Sequence, residues 1–514
     1  MTKVDPRIEQ LREMRAKVQQ GGGQDRIDRQ HAKGKLTARE RLDLLLDENS
    51  FVELEPFTTQ KDDPDQKACL GDGVVTGFGT IEDRTVYVYA QDFTVQGGAL
   101  GELHSRKICR AMDLAVANGC PIIGLIDSGG ARIQEGVKSL GGYAEIFKRN
   151  ARYSGVVPQI SLILGPCAGG AAYSPALTDI IIMVEKQSFM FLTGPQVIKT
   201  VTGEETDFES LGGAEVHLTQ SGTAHLMTKD EEAALKLTRY VVGYLPSNHV
   251  DNPPVTDSAD DPERLSESLN SLVPVDPGTP YSMHAAIDEV VDQGTFLELQ
   301  AGFARNAIVG LARMDGMPVG IIAQEPGVMA GVIDIDAADK ICRMVRFCDA
   351  FNLPLITFVD SPGFLPGVSQ EHGGIIRHGA KVLYAYSEAN VPKVSIVTRK
   401  AYGGAYVVMS SKYLGTDINL AWPSAEIAVM GPKGATNILY RKELANAEDP
   451  EAERQRLETE YRQKYLTPYA AANAGYVDDV IEPAETRRVV IKALRAIRQK
   501  AETHPPRKHG NMPV

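Results

Sequence analysis

Several kinds of residue and segment are scarce in this sequence, and their scarcity limits what the protein can be. The 514 residues include one tryptophan and six cysteines, and no two cysteines form a CxxC pair. Such spacing argues against a disulfide framework and a structural zinc site, and it fits a reducing compartment. No apolar run reaches the roughly 18–20 residues that span a bilayer, and the N-terminus lacks the apolar core of a signal peptide. We therefore expect a cytoplasmic protein without membrane insertion.

Positive charge is also in short supply. The chain has 54 Lys and Arg against 67 Asp and Glu, which gives a formal net charge of -13 and a pI of about 5.4. This balance argues against a nucleic-acid partner. The hydrophobic share of 43% and the charged share of 24% are ordinary for a soluble globular protein.

Several sequence motifs that are typical of particular enzyme classes are missing. The sequence contains neither a GxxxxGK[ST] phosphate loop nor a GxSxG nucleophile elbow. The segment TGFGTIEDR (76–84) offers GxG without the third glycine of a dinucleotide-binding turn. Cys167 has no recognisable base, so a packed thiol is the better interpretation. For His372 and His378 we favour capping or packing over acid–base work or phosphate contacts.

The sequence does contain an internal repeat. The segment YAQDFTVQGG (89–98) aligns with IAQEPGVMAG (322–331) at a shift of 233 residues. A colinear series of further matches follows, with the shift growing to 234 and then 237: Lys107–Arg110 with Lys340–Arg343, Asp127-Ser128 with Asp360-Ser361, Gly169-Gly170 with Gly403-Gly404, and Gly194-Pro195 with Gly431-Pro432. Such a series indicates a duplicated domain.

The repeat also predicts the type of each element. In the first half Ile108, Ala111, Met112 and Ala115 follow the i, i+3, i+4, i+7 pattern of an amphipathic helix, and the second half repeats it. Short apolar runs typical of buried strands then follow: PIIGLID (121–127), PLITFVD (354–360), QISLILG (159–165) and KVSIVTR (393–399). Strands that alternate with helices predict an α/β fold with a largely parallel sheet in each half.

Two glycine pairs occupy equivalent places in the halves. One lies in GPCAGGAAYSPALTD (165–179) and the other in KAYGGAYVVMSSK (400–412), each between a predicted strand and a predicted helix. Backbone N–H groups at a helix start are unpaired, and glycine lets a ligand approach them. Two such groups can hold an oxyanion. A tight turn without a ligand is the alternative, and the second copy puts the two interpretations on an equal footing.

The ends of the halves have distinct compositions. Residues 1–45 are charged and mostly helical in pattern, which predicts a solvated helical arm packed on the body. Residues 246–280 contain seven prolines and many acidic and small polar residues. This composition is typical of a linker that runs over the surface.

Nine ordered segments, spread over almost the whole chain, resemble the carboxyltransferase subunit of acyl-CoA carboxylases. They are GKLTARERLDLLLD (34–47), GDGVVTGFGT (71–80), DSGGARIQEGV (127–137), GPCAGGAAYSPALTD (165–179), DSPGFLPG (360–367), GGIIRHGAK (373–381), RKAYGGAY (399–406), AWPSAEIAVMGPKGA (421–435) and RKHGNMPV (507–514). The sequence is similar to propionyl-CoA and acetyl-CoA carboxylase β chains, to the large transcarboxylase subunit and to the methylmalonyl-CoA decarboxylase α chain.

The resemblance implies an architecture. It implies two crotonase-like (ClpP/crotonase) βα spiral domains: 1–255, which would bind the acyl-CoA and carry the helical arm, and 256–514, which would bind biotin. It also implies a homohexamer, a trimer of dimers, in which the N-terminal domain of one subunit faces the C-terminal domain of another. Neither an ATP-binding motif nor an AMKM biotinylation segment is present. Biotin would therefore be carried by a separate subunit, with a biotin carboxylase as a further partner and no metal in this chain.

The resemblance also implies a reaction and its residues. Carbon dioxide would pass from carboxybiotin to the α-carbon of propionyl-CoA or acetyl-CoA through two backbone oxyanion holes, with no catalytic side chain. The implied residues are Gly169, Gly170, Gly404 and Ala405 for catalysis; Gly129, Gly130, Ala131, Arg132 and Val407 for the acyl-CoA; and Gly363, Phe364, Pro366 and Gly367 for biotin.

One position departs from the family pattern, and several alternatives stay open. Propionyl-specific relatives carry an aspartate where this chain has Val407, so we expect use of both acetyl-CoA and propionyl-CoA.

Methylmalonyl-CoA decarboxylase and transcarboxylase subunits run the same half-reaction, so this chain alone does not separate them from a carboxylase. A crotonase-type hydratase needs two carboxylates beside the hole, and a ClpP-like peptidase needs a Ser/His/Asp set that we cannot assemble. A non-enzymatic scaffold for a carboxylase complex is the remaining alternative.

Overall fold

The computed structural model describes residues 4–59 and 69–514, and the chain divides into two compact units, Met1–Asp251 and Asn252–Val514. The division falls four residues before the boundary implied by the resemblance. Each unit is built on one sheet whose strands alternate with helices.

The first unit begins with a helical arm and then enters its sheet. Its described elements are α1 (Pro6–Gln19), α2 (Gln24–His31), α3 (Ala38–Leu45), β1 (Val52–Leu54), β2 (Val74–Ile81), β3 (Arg84–Gln91), α4 (Glu102–Ala117), β4 (Ile122–Ser128), α5 (Val137–Tyr153), β5 (Gln159–Ala168), α6 (Gly170–Ala176), β6 (Ile180–Val184), β7 (Phe189–Phe191), α7 (Pro195–Thr202), α8 (Phe208–Gly212), α9 (Ala214–Thr219), β8 (Leu226–Thr228) and α10 (Glu231–Val242).

The second unit repeats this order without the arm. Its elements are α11 (Met283–Val290), β9 (Leu297–Leu299), β10 (Ala307–Met314), β11 (Met317–Gln324), α12 (Ile335–Ala350), β12 (Leu355–Ser361), α13 (Val368–Gly373), α14 (Ile375–Glu388), β13 (Lys393–Tyr402), α15 (Gly404–Val408), β14 (Ile418–Ala421), β15 (Glu426–Ala428), α16 (Pro432–Leu439), α17 (Arg441–Asn446), α18 (Pro450–Tyr465), α19 (Pro468–Asn473), β16 (Asp479–Val480) and α20 (Thr486–Ile497).

The two sheets have the same topology. The first runs β1-β2-β3-β4-β5-β6-β8 with β7 paired to β5, and the second runs β9-β10-β11-β12-β13-β14-β16 with β15 paired to β13. The first three strands of each sheet are antiparallel and the others are parallel. Every residue of β4 and of β12 is buried, as expected for strands covered on both faces. The prediction of a duplicated α/β fold with largely parallel sheets is confirmed.

The helical arm divides into an exposed part and a buried part. In α1 only Val18 is buried. In α3, by contrast, Arg41, Leu42 and Leu45 are each at most 1% exposed. The expectation of a solvated arm therefore describes α1, whereas α3 belongs to the core of the first unit. Among the described residues no helix is both long and apolar enough to cross a membrane.

Candidate active site

The two glycine pairs form the same turn in both units. Gly169 follows β5 with φ 63° and ψ -126°, and Gly403 follows β13 with φ 55° and ψ -130°. These positive φ angles are freely accessible only to glycine. A short helix starts at the next residue in each unit. The repeated sequence therefore encodes a repeated backbone conformation.

The turns leave two adjacent N–H groups without a partner in each unit. The N–H of Gly169 donates to the carbonyl of Phe191 in β7 (2.9 Å), and that of Gly403 donates to Ala428 in β15 (2.9 Å). The following donors are the N–H groups of Gly170 and Ala171 in the first unit and of Gly404 and Ala405 in the second. Within residues 4–59 and 69–514 these four groups have no hydrogen-bond acceptor. The first glycine of each pair thus shapes the turn, and the next two residues present the donors.

An aromatic ring supports each pair of free N–H groups. A methyl group added at Gly170 would lie 3.0 Å from the ring of Tyr143, and one added at Gly404 would lie 3.4 Å from Phe364. Phe364 is one of the residues that the resemblance places beside biotin, and the structure brings it against Gly404. Tyr143 was not singled out in the sequence. Its helical position in α5 gives no local signal for this contact.

The loop after β4 approaches the first turn. The N–H of Gly129 donates to the Gly97 carbonyl (3.0 Å), and the N–H of Gly130 donates to Oγ of Ser128 (3.1 Å). A methyl group added at Gly130 would meet the carbonyl oxygen of Ala168, at the end of β5, at 3.0 Å. Ala131 continues the loop and bridges to Leu100. The structure therefore brings Gly129, Gly130 and Ala131 together with the first glycine pair.

Arg132 ends this loop, but its side chain points into the protein. It is 2% exposed, and its guanidinium donates to Oδ1 of Asp72 (2.7 Å), to Oε1 of Glu135 (3.0 Å) and to the carbonyl of Ala99 (2.9 Å). A fourth hydrogen bond runs from Nη2 to the carbonyl of Asp72 (2.8 Å), so four of the five N–H groups have partners within the protein. These contacts hold the loop from inside the protein, and a role of Arg132 toward the acyl-CoA stays a prediction.

The corresponding loop of the second unit approaches the other turn. Gly363 and Gly367 both have φ 143°, which only glycine adopts without strain. The Gly363 carbonyl accepts from the N–H of Ile333 (3.0 Å). Pro366 is exposed, like Gly367. Val407 lies on α15 with 44% of its surface exposed.

A buried aspartate lies at the end of the central strand in both units. Oδ2 of Asp127 accepts from Lys35 (2.7 Å) and Arg41 (3.0 Å), whereas Oδ2 of Asp360 accepts from Arg399 (3.0 Å). The backbone N–H of each aspartate donates to Oε1 of the glutamine at the end of the preceding strand. The distance is 3.3 Å to Gln91 in the first unit and 3.1 Å to Gln324 in the second. These contacts fix the start of each loop.

Comparison with known proteins identifies the family of the chain. A family model described as the carboxyl transferase domain matches residues 29–512. The chain belongs to the carboxyl transferase family. It is 56% identical over 514 residues to the propionyl-CoA carboxylase carboxyltransferase subunit of Haloferax mediterranei, with 99% of this chain and 100% of that protein covered.

Other carboxyl transferases are nearly as similar. The methylmalonyl-CoA decarboxylase subunit alpha of Veillonella parvula is 54% identical over 517 residues, with both chains fully covered. A crystal structure of the transcarboxylase 12S hexamer with methylmalonyl-coenzyme A bound superposes with a TM-score of 0.97 at 49% identity, covering 100% of this chain and 99% of that one. The family resemblance and the expectation of two crotonase-like domains are both confirmed.

The sequence offered three further candidates, Cys167, His372 and His378. Cys167 is fully buried, and burial raises the pKa of its thiol, so it does not supply a thiolate. Nδ1 of His378 contacts the Asp339 carboxylate at 2.9 Å, and His372 is exposed on α13. In the described part of this carboxyl transferase, no cluster of three or more His, Cys, Asp or Glu side chains could hold a metal.

Proposed function

We propose that this carboxyl transferase moves a carboxyl group between biotin and the α-carbon of a short acyl-CoA, with propionyl-CoA and acetyl-CoA both accepted. The N–H groups of Gly170 and Ala171 would hold the thioester oxygen, and those of Gly404 and Ala405 would hold the ureido oxygen of biotin. The observation that carries the proposal is the pair of matching turns, each with two unpaired, adjacent N–H groups.

The backbone of these turns matches the charges that the reaction develops. Removing a proton from the α-carbon of a thioester places negative charge on the thioester oxygen, and two fixed N–H donors stabilise that charge without rearranging. The second turn offers the same donors, and the Phe364 ring beside Gly404 gives a flat, apolar wall of the kind that a small ring system can lie against. When bound there, biotin supplies the transferable carboxyl group.

The assembly and its partners are part of the proposal. The 12S transcarboxylase relative forms a hexamer, and we propose a homohexamer, a trimer of dimers, for this chain as well. Since the sequence shows neither a biotinylation segment nor an ATP-binding motif, biotin would arrive on a separate carrier, charged by a biotin carboxylase. We place the complex in the cytoplasm. The 54% identity to a decarboxylase subunit keeps the reverse direction as the second candidate.

The first experiment incubates the purified chain with free biotin and either malonyl-CoA or methylmalonyl-CoA. We expect biotin-dependent release of acetyl-CoA or propionyl-CoA. Gly404→Pro removes one N–H at the first helical position, where proline is tolerated, and should lower kcat about 100- to 1000-fold. Gly404→Ala is the matched control, because it adds bulk but keeps the N–H and meets Phe364 at an ordinary contact distance.

The same pair of variants at Gly170 tests the first turn. There the methyl group of alanine is tighter against Tyr143, so the alanine control should lose some activity but less than proline. Equal losses for alanine and proline at both positions would show that bulk, not the N–H, matters. An assembled oligomer without turnover on either substrate would favour the scaffold alternative.

Val407 provides a test of the acyl preference. An aspartate on α15 changes the size and polarity of the surface beside the second turn without altering its N–H groups. We expect Val407→Asp to shift the ratio of kcat/KM for propionyl-CoA over acetyl-CoA, within the roughly 10- to 200-fold that one methylene can supply. An unchanged ratio would mean that Val407 plays no part in choosing the acyl group.

A further inference from the structure

The second unit contains a cavity at the end of its sheet that lies opposite the second turn. The cavity has a volume of about 310 Å³ and is lined by Pro318, Pro354 and Pro392, among others. Pro354 and Pro392 come directly before β12 and β13, and Pro318 is the second residue of β11. Since these three strands are parallel, the cavity lies at their amino ends, whereas the second turn follows the carboxyl end of β13.

The first unit fills the equivalent place with its own chain. The carbonyl of Gly119, before β4, accepts from the side-chain amide of Asn248 (3.0 Å). The carbonyl of Val156, before β5, accepts from the backbone N–H of His249 (3.0 Å). The segment that follows α10 therefore closes the amino ends of these strands with N–H donors.

The second unit arranges the corresponding segment differently. By the shifts of 233 and 234 residues, the counterparts of the two carbonyl groups belong to Asn352 and Asn390. Both residues line the cavity, and so do Arg498, Lys500 and Glu502 of the segment that follows α20. The duplicated domain thus closes this place in one unit and leaves it open in the other.

Two residues of the cavity wall have acceptors without a donor. Oδ1 of Asn390 is buried and accepts no hydrogen bond within residues 4–59 and 69–514. Oδ1 of Asp349 accepts from the backbone N–H groups of Asn390 (2.6 Å) and Val391 (3.2 Å), but its Oδ2 has no donor in the described part of the chain. Because a buried acceptor without a donor costs free energy, this wall favours a ligand that brings N–H groups.

The charged side chains of the wall leave one charge of each sign unpaired. Lys500 and Glu502 pair with each other at 3.1 Å, and Lys500 also pairs with Asp417 at 3.0 Å. Arg498 and Asp349, by contrast, form no ion pair with any residue that the structure describes. The wall also has apolar side chains: Val255, Met317 and Val391. A ligand with one positive charge, one negative charge and an apolar part matches these groups.

We infer that the cavity binds a free α-amino acid with a small apolar side chain. Its ammonium group donates to the carboxylate of Asp349 and to Oδ1 of Asn390, and its carboxylate pairs with Arg498. The volume lies at the small end of the range for ligand pockets, which suits a molecule of this size. The inference does not depend on the proposed function, because no residue of the cavity belongs to either turn.

The test measures equilibrium binding to the assembled full chain by isothermal titration calorimetry. The ligands are L-alanine, L-valine and L-leucine, together with two analogues of L-valine: 3-methylbutanoate, which lacks the ammonium group, and 2-methylpropylamine, which lacks the carboxylate. We expect saturable binding of at least one amino acid and, for L-valine, binding at least tenfold tighter than that of either analogue.

Two variants locate the site. Arg498→Gln and Asn390→Ala should each weaken amino-acid binding about tenfold or more. Neither substitution removes an ion pair or a side-chain hydrogen bond among the described residues, so Tm should stay unchanged. Lys442→Gln, which changes an exposed cation on α17 outside the cavity, is the matched control and should bind like wild type. Three results would each overturn the inference: no binding of any of the three amino acids, equal binding of L-valine and an analogue, or wild-type binding by both variants.

Discussion

In the first unit the aspartate at the end of the central strand, Asp127, meets two cations that come from the helical arm, Lys35 and Arg41. In the second unit Asp360 meets a single arginine, Arg399, which comes from the neighbouring strand β13. Arg41 is itself held by Glu231 of α10 at 2.7 Å, so the first network joins three parts of the chain. The same turn is therefore supported in two ways.

The difference shows that the duplicated domain has kept the conformation of the turn, whereas the cations that pair with the aspartate differ between the units. The glycine conformations and the glutamine that accepts the aspartate N–H are the same in both units. The counter-charges differ in number and in origin. Because backbone geometry sets the N–H directions, the turn is constrained, whereas any cation that reaches the carboxylate satisfies it.

The largest expected effect comes from removing these carboxylates. Asp127→Asn leaves Lys35 and Arg41 short of a buried counter-charge, and breaking such a network costs about 3–5 kcal/mol. Asp360→Asn removes one such contact and should cost about 1.5–3 kcal/mol. Hydrogen exchange of peptides that span each aspartate, measured by mass spectrometry, reports the local free energy of opening.

Asp43→Asn is the control for the first of these variants. It makes the same chemical change on α3, two residues from Arg41, at an exposed position. Equal losses of protection for Asp127→Asn and Asp360→Asn would mean that the number of cations does not determine how firmly the loop is held.

A second pair of equivalent residues permits a finer comparison. The amine of Lys107 donates to the carbonyls of Gly71 (2.9 Å) and Val74 (2.6 Å), and the amine of Lys340 donates to three carbonyls at 2.7–3.0 Å. Burial lowers the pKa of both lysines to about 8. We expect Lys107→Met and Lys340→Met each to lower the free energy of unfolding by about 1–3 kcal/mol. The loss should be larger for Lys340→Met, because that substitution leaves more buried carbonyls unpaired.

The pH dependence of these lysine variants has a definite sign. An unfolded lysine titrates near 10.4, so between about pH 8 and 10.4 the unfolded chain binds more protons than the folded chain. Stability relative to the methionine variant should therefore rise with pH across this window, by up to about 1.4 kcal/mol per unit for each lysine. Urea unfolding of wild type and of each methionine variant at pH 7, 8 and 9.5 measures this difference in the free energy of unfolding. If the difference in free energy of unfolding between wild type and the methionine variant became smaller as pH rises, the carbonyls would raise the pKa of the buried lysine instead.

The sequence predicted the turns but not the partners of their N–H groups. The repeated glycines predict a turn between strand and helix, because few other residues adopt the positive φ angle that Gly169 and Gly403 have. Which N–H stays free depends on β7 and β15, whose carbonyls accept from Gly169 and Gly403, and a short strand's pairing across the sheet has no local signal. The resemblance likewise implied that Arg132 lies near the acyl-CoA, and its pairing with Asp72, 60 residues earlier in the chain, is a contact that the local sequence does not indicate.

Arg26 and Arg29 on α2, with Lys33 just after it, represent an intermediate case. Their spacing on one helix face is visible in the sequence, yet a charged helix face is usually just solvated. Only the fold shows that Phe93 and Gly97 lie opposite them and complete a cleft. Charge patterns therefore become informative about a site when a second wall is known.

The smallest expected effect concerns an ion pair in the second unit. His284 lies between Glu298 (2.9 Å) and Glu325 (3.1 Å), and its hydrogen bonds to these carboxylates raise its pKa to about 10. Glu325 in turn accepts from the N–H of Gly327 (3.0 Å) and so holds the loop that precedes α12. The equivalent loop of the first unit starts at Asp92, whose carboxylate accepts from Thr94 instead.

Since the folded pKa of His284 lies above its unfolded value near 6.5, the stabilisation is complete below about pH 6.5 and is lost as pH rises through about 10. The side chain is 40% exposed, so solvent screening should keep the effect below about 1 kcal/mol. We expect His284→Gln to lower the hydrogen-exchange protection factors of residues 325–331 at pH 6 but hardly at pH 10.5, with residues 92–98 unchanged at both. A loss of protection that is equal at the two pH values would mean that His284 acts through packing, and the two loops would then differ in shape rather than in charge.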